Sequence, residues 1–150
     1  MPQSYSSLYY HLVFSTKYRR HLIDDHLRDR LYPYLGGVLR KENCRLLEAG
    51  GIPDHVHLLA SLRRDIDVSA AARLLKSNST GWVHRNFGRQ RTFAWQTGFA
   101  VFSVSYSHIE SVRDYIRNQE MHNRDTTFEE ELVRLLELHD VEFDELFLLD

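Results

Sequence analysis

The stretch "IPDHVHLLASL", residues 52–62, restricts the possible folds of this chain more than any other stretch. Side chains alternate between the two faces of a strand, so Val56 and Leu58 share one face. His55 and His57 share the other face, with their Cα atoms roughly 7 Å apart. The alternation predicts a strand that covers a core with one face and presents two imidazoles on the other.

The spacing of these two histidines allows two interpretations. Two imidazoles on one strand face can converge on a single divalent cation, for which imidazole nitrogen is a common ligand. The alternative is a pair of surface histidines, since the pattern His-x-His occurs often by chance. The motif alone leaves both interpretations open.

The rest of the chain alternates between strand-like and helix-like periodicity. The predicted elements are a strand within 7–20, a helix capped by Asp24 or Asp25, a hairpin within 44–62, a helix at 67–87, a strand within 91–105, and helices at about 108–122 and 126–140. The order β-α-β-β-α-β is that of the ferredoxin-like fold. We therefore expect an α+β protein with an antiparallel sheet, helices on one face, and additional C-terminal helices. The other face is expected to be free for a partner, a ligand or a second subunit.

Length and composition indicate one domain spanning residues 1–150. The chain is 43% hydrophobic, which is enough for one core. No stretch approaches the roughly 18–20 apolar residues of a membrane span, and the N-terminus lacks the pattern of a signal peptide. A lone cysteine, Cys44, cannot form an internal disulfide, which favours a reducing compartment. We expect a cytoplasmic protein.

The net charge of −2 conceals a strong asymmetry along the chain. Residues 125–150 contain ten acids and a single base, Arg134, which leaves 18 Lys and Arg against 11 Asp and Glu in residues 1–124. A basic body of this kind suits a polyanion such as nucleic acid. The acidic segment contains a helix with a capping box, formed by Thr127 and Glu130.

The stretch "ESVRDYIRNQEMHN", residues 110–123, predicts an amphipathic helix with a distinctive polar stripe. At 100° per residue, Tyr115, Gln119 and His122 lie within about 60° of one another. A neighbouring apolar stripe would dock the helix on the body, so the tyrosine can point into a site. A tyrosine that simply packs at the edge of the helix is the alternative.

Six segments, taken in order, resemble one known family over nearly the whole chain. They are "HLVFSTKYRR", "GGIPDHVHLL", "LLKSNSTGWVH", "FAWQTGFAVFSVS", "VRDYIRNQEMH" and "FEEELVRLLELHDVEFDE". The family is that of the single-tyrosine HUH transposases of small bacterial insertion sequences, with their domesticated relatives, the REP-associated tyrosine transposases. The resemblance implies a transposase that acts on single-stranded DNA with hairpins at the ends of an element.

The resemblance also implies roles for individual residues. Tyr115 matches the nucleophile, His55 and His57 match the metal-binding histidines, and Gln119 matches the residue that completes the metal site. Mg²⁺ or Mn²⁺ is the expected ion, since both accept these donors. His122 and Asn118 are supporting candidates. The chain departs from the family pattern at Asn123, where a second histidine often stands.

The reaction implied is cleavage and rejoining through a covalent 5′-phosphotyrosine, in a homodimer with composite sites. The helix of one subunit would then be presented to the histidines of the other. The basic residues predicted to contact DNA are Lys17, Arg19, Arg20, Arg73 and Lys76. A non-catalytic or domesticated nucleic-acid-binding relative is the first alternative, and a metal phosphodiesterase that uses water as nucleophile is the second.

Overall fold

A computed structural model describes residues 3–148 and shows a four-stranded antiparallel sheet with helices on both faces. The strands are β1 (Tyr9–Ser15), β2 (Arg45–Ile52), β3 (His55–Ser61) and β4 (Ala100–Val104). The helices are α1 (Asp25–Lys41), α2 (Val68–Asn86), α3 (Ile109–Arg117), α4 (Gln119–His122) and α5 (Phe128–Leu138). The strand order β2-β3-β1-β4 confirms the predicted α+β, ferredoxin-like arrangement.

Side-chain caps fix where the three longest helices begin. Asp24 accepts a hydrogen bond from the Leu27 amide at 2.8 Å, and Asp67 caps α2 in the same way. Thr127 accepts from the Glu130 amide at 3.2 Å, which confirms the capping box predicted for α5. Each cap satisfies an amide that the first helical turn leaves without a backbone partner.

The main core lies between the sheet and the pair α1 and α2. Leu12 and Phe14 of β1, together with Val56 and Leu58 of β3, are completely buried there. Because the side chains of a strand alternate, this packing turns His11, Val13, His55 and His57 to the opposite face. Cys44 is also buried in the main core.

The opposite face of the sheet is covered, which corrects the expectation that it would be free. Phe128 and Leu132 of α5 pack on Val13 and Phe102, while α3 packs on Leu59 through residues that include Ile116. The apolar stripes of these helices need a partner surface, and the sheet is the nearest one. Within residues 3–148 no helix is both long and apolar enough to cross a membrane.

The predicted tyrosine helix is interrupted at Asn118, so one helix of the sequence becomes α3 and α4. Asn118 has φ −98° and ψ 26°, outside the helical region, and its side chain donates to the Asp114 carbonyl at 2.8 Å. This local bond competes with helix continuation, as is typical of asparagine. Asn118 is therefore turned toward its own helix end.

The β2–β3 hairpin has a tight turn. The turn contains only Pro53 and Asp54, and both Gly50 and Gly51 lie inside β2. A Cβ on Gly50 would fall on the carbonyl oxygen of Ile116 in α3. Glycine at this position therefore lets α3 lie directly against the sheet, which fixes the height of the tyrosine helix above β3.

We predict that Gly50→Ala destabilises the protein by about 1–3 kcal/mol, because the added methyl group forces α3 away from β2. Urea unfolding followed by far-UV circular dichroism measures this loss. The matched control is Gly37→Ala, an interior helix position where an added Cβ would meet only the Arg40 guanidinium, at 3.9 Å. That change is expected to stabilise α1 by about 0.5–1 kcal/mol. Equal effects of the two substitutions would show that Gly50 does not set the α3 contact.

Candidate active site

The two histidines lie on β3, a central strand, under the helices that cover this face of the sheet. Both side chains have no exposed surface. The ring of His55 stacks on Phe128 of α5 with centroids 4.4 Å apart, and the rings of His55 and His57 are 5.0 Å apart. The structure therefore excludes the interpretation of a surface pair.

One nitrogen of each histidine is occupied by a neighbour, which leaves the other pointing inward. His55 Nδ1 lies 2.7 Å from Asp54 Oδ1, and His57 Nδ1 lies 2.7 Å from Nε2 of the buried His11 on β1. Contacts of this kind orient metal-binding imidazoles in proteins. Both Nε2 atoms consequently face the same small volume between β3 and α5.

A carboxylate from α5 enters that volume. Glu131 Oε1 lies 3.1 Å from His57 Nε2 and 3.3 Å from His55 Nε2, and the Glu131 side chain is almost completely buried. His55, His57 and Glu131 each have one potential ligand atom within 4.8 Å of those of the other two. Two imidazole nitrogens and a carboxylate oxygen form a donor set suited to a divalent cation.

The tyrosine reaches the same carboxylate from the other side. The Tyr115 hydroxyl donates a hydrogen bond to Glu131 Oε2. Its ring stacks on His122 at a centroid distance of 4.8 Å and approaches His57 edge-on at 5.7 Å. The phenol therefore stands at the edge of the histidine cluster, held on both sides.

Gln119 completes the group at the first residue of α4. Its Oε1 lies 3.1 Å from His55 Nε2, and its Nε2 donates to Glu131 Oε2 at 3.2 Å. Asn123, where the family pattern often has histidine, donates to Gln119 Oε1 at 3.0 Å. The asparagine thus orients the glutamine amide so that its oxygen faces His55.

The electrostatics of the site follow from burial and from Glu131. Burial lowers the pKa of His55, but hydrogen bonds to Asp54 and Glu131 outweigh it and raise this pKa to about 9. Burial lowers the pKa of His57 and brings that of His11 to about 3. Burial alone would raise the pKa of Glu131, yet the two neighbouring histidines hold it far below its usual range. The site therefore contains an ionised carboxylate beside a cationic imidazole.

The phenol is protonated in this arrangement. Burial, followed by the hydrogen bond to the Glu131 carboxylate, raises the pKa of Tyr115 above its usual value. A nearby cation would favour the phenolate instead, because it stabilises the charged form. The state of the tyrosine thus depends on what neutralises Glu131.

The structure brings together Tyr115, His55, His57 and Gln119, with His122 beside the tyrosine ring. Glu131, Asp54 and His11 also belong to the cluster, and motif reasoning missed them. The sequence does contain an indication of Glu131. It occupies a position on the buried face of α5, where helical periodicity predicts an apolar residue. Asp54 and His11 become neighbours of the histidines only through the hairpin turn and through strand pairing.

The five basic residues predicted to contact DNA differ in their surroundings. Lys17, Arg20 and Arg73 are exposed, while Arg19 pairs with Glu129 of α5 at 2.6 Å. The Lys76 ammonium donates to the Gln96 and Gly98 carbonyls, and burial lowers its pKa to about 8. Contact with DNA stays a prediction for all five, and Lys76 is the least accessible.

Comparisons with known proteins agree with this geometry. A family model described as "Transposase IS200 like" matches residues 4–119. The transposase for insertion sequence element IS200 of Salmonella typhimurium is 33% identical over 120 residues, which cover 73% of this chain and 75% of the relative.

Two solved structures share the fold. One, of a Deinococcus radiodurans R1 protein assigned as a transposase, has a TM-score of 0.65 at 25% identity and covers 79% of this chain and 96% of the other. The second, a REP-associated tyrosine transposase bound to a REP hairpin, has a TM-score of 0.62 and covers 97% and 92% of the two chains. At 18% identity, this second likeness shows the fold alone.

We predict that Glu131→Ala lowers the stability of the metal-free protein by about 1–3 kcal/mol, because it leaves buried hydrogen-bonding groups without their partner. Chemical unfolding in the presence of a chelator measures the change. Glu137→Ala, on the exposed side of the same helix, is the matched control and is expected to be nearly neutral. Equal stability of both variants would contradict the network described here.

Proposed function

We propose, on the premise that the chain belongs to the IS200-like transposase family, that it cuts and rejoins single-stranded DNA through Tyr115. Membership confirms the resemblance drawn from the motifs. The observation that carries the proposal is the Glu131 carboxylate, one oxygen of which meets the Tyr115 hydroxyl while the other faces His55 and His57. The Glu131 carboxylate thus contacts both the proposed nucleophile and the proposed metal-binding histidines.

The donor set fits a divalent cation. His55 and His57 would hold it through Nε2, with oxygens from Glu131 and Gln119. Mg²⁺ and Mn²⁺ are the ions proposed, although two histidines and a carboxylate also form a known catalytic zinc set. When bound, such an ion neutralises and polarises a phosphate group.

The protein's own groups prepare the tyrosine for attack. The Tyr115 hydroxyl already donates a hydrogen bond to Glu131 Oε2, so this oxygen is positioned to accept the phenolic proton. The new bond joins the phenol oxygen to phosphorus, and the bond from phosphorus to the 3′ oxygen breaks. The proton that Glu131 accepts passes to the departing 3′ oxygen, so the products are a 5′-phosphotyrosine and a free 3′-OH.

The covalent link favours rejoining over hydrolysis. Phenol has a pKa near 10 and therefore leaves phosphorus more readily than an alcohol of a sugar. A 3′-OH can attack the phosphotyrosine and restore a phosphodiester without an external energy source. This chemistry is that of a transposase and not of a nuclease that releases both ends.

The Tyr115 ring lies 5.7 Å from the His57 ring of the same chain, and on this basis we propose that one chain contains a complete site. This differs from the expectation that the tyrosine serves a partner subunit. A homodimer stays a prediction. DNA hairpins are the substrate proposed, in keeping with the solved relative that is bound to a REP hairpin.

We predict that the protein, incubated with Mn²⁺ and hairpin-bearing single-stranded DNA, forms a covalent adduct that survives denaturation. Tyr115→Phe should abolish the adduct, because it removes the attacking oxygen, while leaving DNA binding within about twofold. Denaturing gels and mass spectrometry of the linked peptide measure both. The control is Tyr106→Phe, an exposed tyrosine outside the cluster.

Three other outcomes identify the alternatives. Tight hairpin binding without an adduct for any metal favours a non-catalytic relative, and free ends without linked protein favour a phosphodiesterase. A mixture of Tyr115→Phe and His57→Ala should stay inactive if each chain is complete. Recovery of the adduct in that mixture would show that the tyrosine acts on the partner subunit.

We predict that Mn²⁺ raises the melting temperature of the DNA-free protein. The affinity of the protein for Mn²⁺ is expected to increase with pH up to about pH 9. Below that value His55 carries a proton, which the metal must displace, so binding tightens by up to about tenfold per pH unit. Calorimetry in buffers of different ionisation enthalpy counts the released proton.

His57→Ala should remove the metal-dependent shift, whereas His21→Ala, an exposed histidine, should leave it intact. A shift that survives His57→Ala, or an affinity independent of pH, would place the metal elsewhere.

A further inference from the structure

A cavity of about 440 Å³ opens beside the tyrosine, between β4, α3 and α5. We call it the β4 cleft, and the residues that define it here are Phe102, Ser105, Ser111, Tyr115, Arg134 and Leu138. Its volume falls within the range of about 300–1,000 Å³ typical of ligand pockets. The mechanism proposed above uses only its inner end, where Tyr115 meets Glu131.

The walls of the β4 cleft are built at helical spacing. His108, Ser111 and Tyr115 follow one another along α3 and the turn before it, while Arg134 and Leu138 stand one and two turns beyond Glu131 on α5. Both helices therefore turn a continuous face into the cleft, and that face leads away from the histidine cluster.

The floor and rim of the cleft combine flat, apolar and hydrogen-bonding groups. His139 stacks on Phe102 with centroids 4.3 Å apart, and Leu138 is 75% exposed at the rim. Ser105 and Ser111 add hydroxyl groups. Flat rings with a few polar groups around them suit a nucleobase, which has two π faces and a polar edge.

Arg134 gives the cleft a positive charge that the rest of its segment lacks. It is the only base among ten acids in residues 125–150, yet it lines this cavity. Its side chain is exposed and makes no ion pair with any carboxylate of the described residues 3–148. A guanidinium in this position is available to a phosphate oxygen.

We propose that the β4 cleft binds one nucleotide of the attacked strand, immediately next to the phosphate that Tyr115 attacks. This inference rests on the proposed function. A strand attacked at Tyr115 must continue on both sides of the phosphate, and the histidine cluster occupies one side. The β4 cleft is the cavity that begins at the phenol on the other side.

The occupant follows from the chemistry of the cleft. The base lies against the exposed ring of His139, the serine hydroxyls meet its edge, and Arg134 pairs with the next phosphate. Because these walls are fixed by two helices and a strand, the protein selects the base at this one position.

Two full-length variants test the cleft without altering the tyrosine or the metal donors. Ser111→Trp fills the cleft one turn before Tyr115, and Arg134→Ala removes its charge. The matched controls are Ser77→Trp, an exposed position on α2 away from the cleft, and Arg89→Ala, an exposed arginine in a distant turn.

The first measurement uses hairpin DNA with randomised flanks and sequences both the linked and the released fragments. Wild-type protein should show a base preference at one nucleotide beside the cut. Ser111→Trp should lose or change that preference and reduce adduct yield at least tenfold. Arg134→Ala should reduce the rate of adduct formation about tenfold, as expected for a lost charge-assisted contact. Both controls should match wild type.

The second measurement does not depend on cleavage. Tyr115→Phe protein is titrated with the four deoxynucleoside 5′-monophosphates while the ring signals of His108 and His139 are followed by NMR. Saturable shifts that differ among the bases, and that Ser111→Trp abolishes, support the inference.

The outcomes separate this inference from the proposed function. If both cleft variants form adducts normally and the base distribution is unchanged, the β4 cleft does not bind a nucleotide. The transposase mechanism is then unaffected. If wild-type protein forms no adduct but binds nucleotides base-selectively in the titration, the proposed mechanism is wrong. The β4 cleft then remains a nucleotide-binding site. No saturable shift in the titration counts against the cleft in either case.

Discussion

The rest of this structure depends on the interactions of the buried Glu131 carboxylate with its neighbours. An ionised carboxylate without partners is too costly to bury, so its position requires both histidines, the Tyr115 hydroxyl and the Gln119 amide around it. These groups come from β3, α3 and α4, and Glu131 itself lies on α5. One charged group therefore joins four elements of the fold, and it does so at the place where the chemistry is proposed.

This arrangement gives the acidic C-terminal segment two roles. Phe128 and Leu132 of α5 cover the sheet, and Glu131 between them enters the site. Most of the other acids of this segment that the structure describes lie at exposed positions. Arg19 with Glu129 is a point where the two regions pair directly.

The parts of the site that could be predicted from the sequence depend on local periodicity. Alternation along a strand placed His55 and His57 on one face, and helical spacing placed Tyr115, Gln119 and His122 on one side. The break at Asn118 left this stripe intact, since Gln119 still faces His55. Glu131 and His11 could not be placed in the same way, because their contacts with His57 join residues 74 and 46 positions apart.

The two faces of the sheet also explain why the site lies where it does. The face under α1 and α2 is filled mainly with large apolar side chains. The other face is covered by shorter helices whose apolar contacts are divided between two smaller clusters. The histidines, the phenol and the β4 cleft all lie between or beside these clusters. On the function proposed here, a DNA strand would pass along α5 from the Arg19–Glu129 pair toward Arg134, and this helix would both close the site and set the direction of the strand.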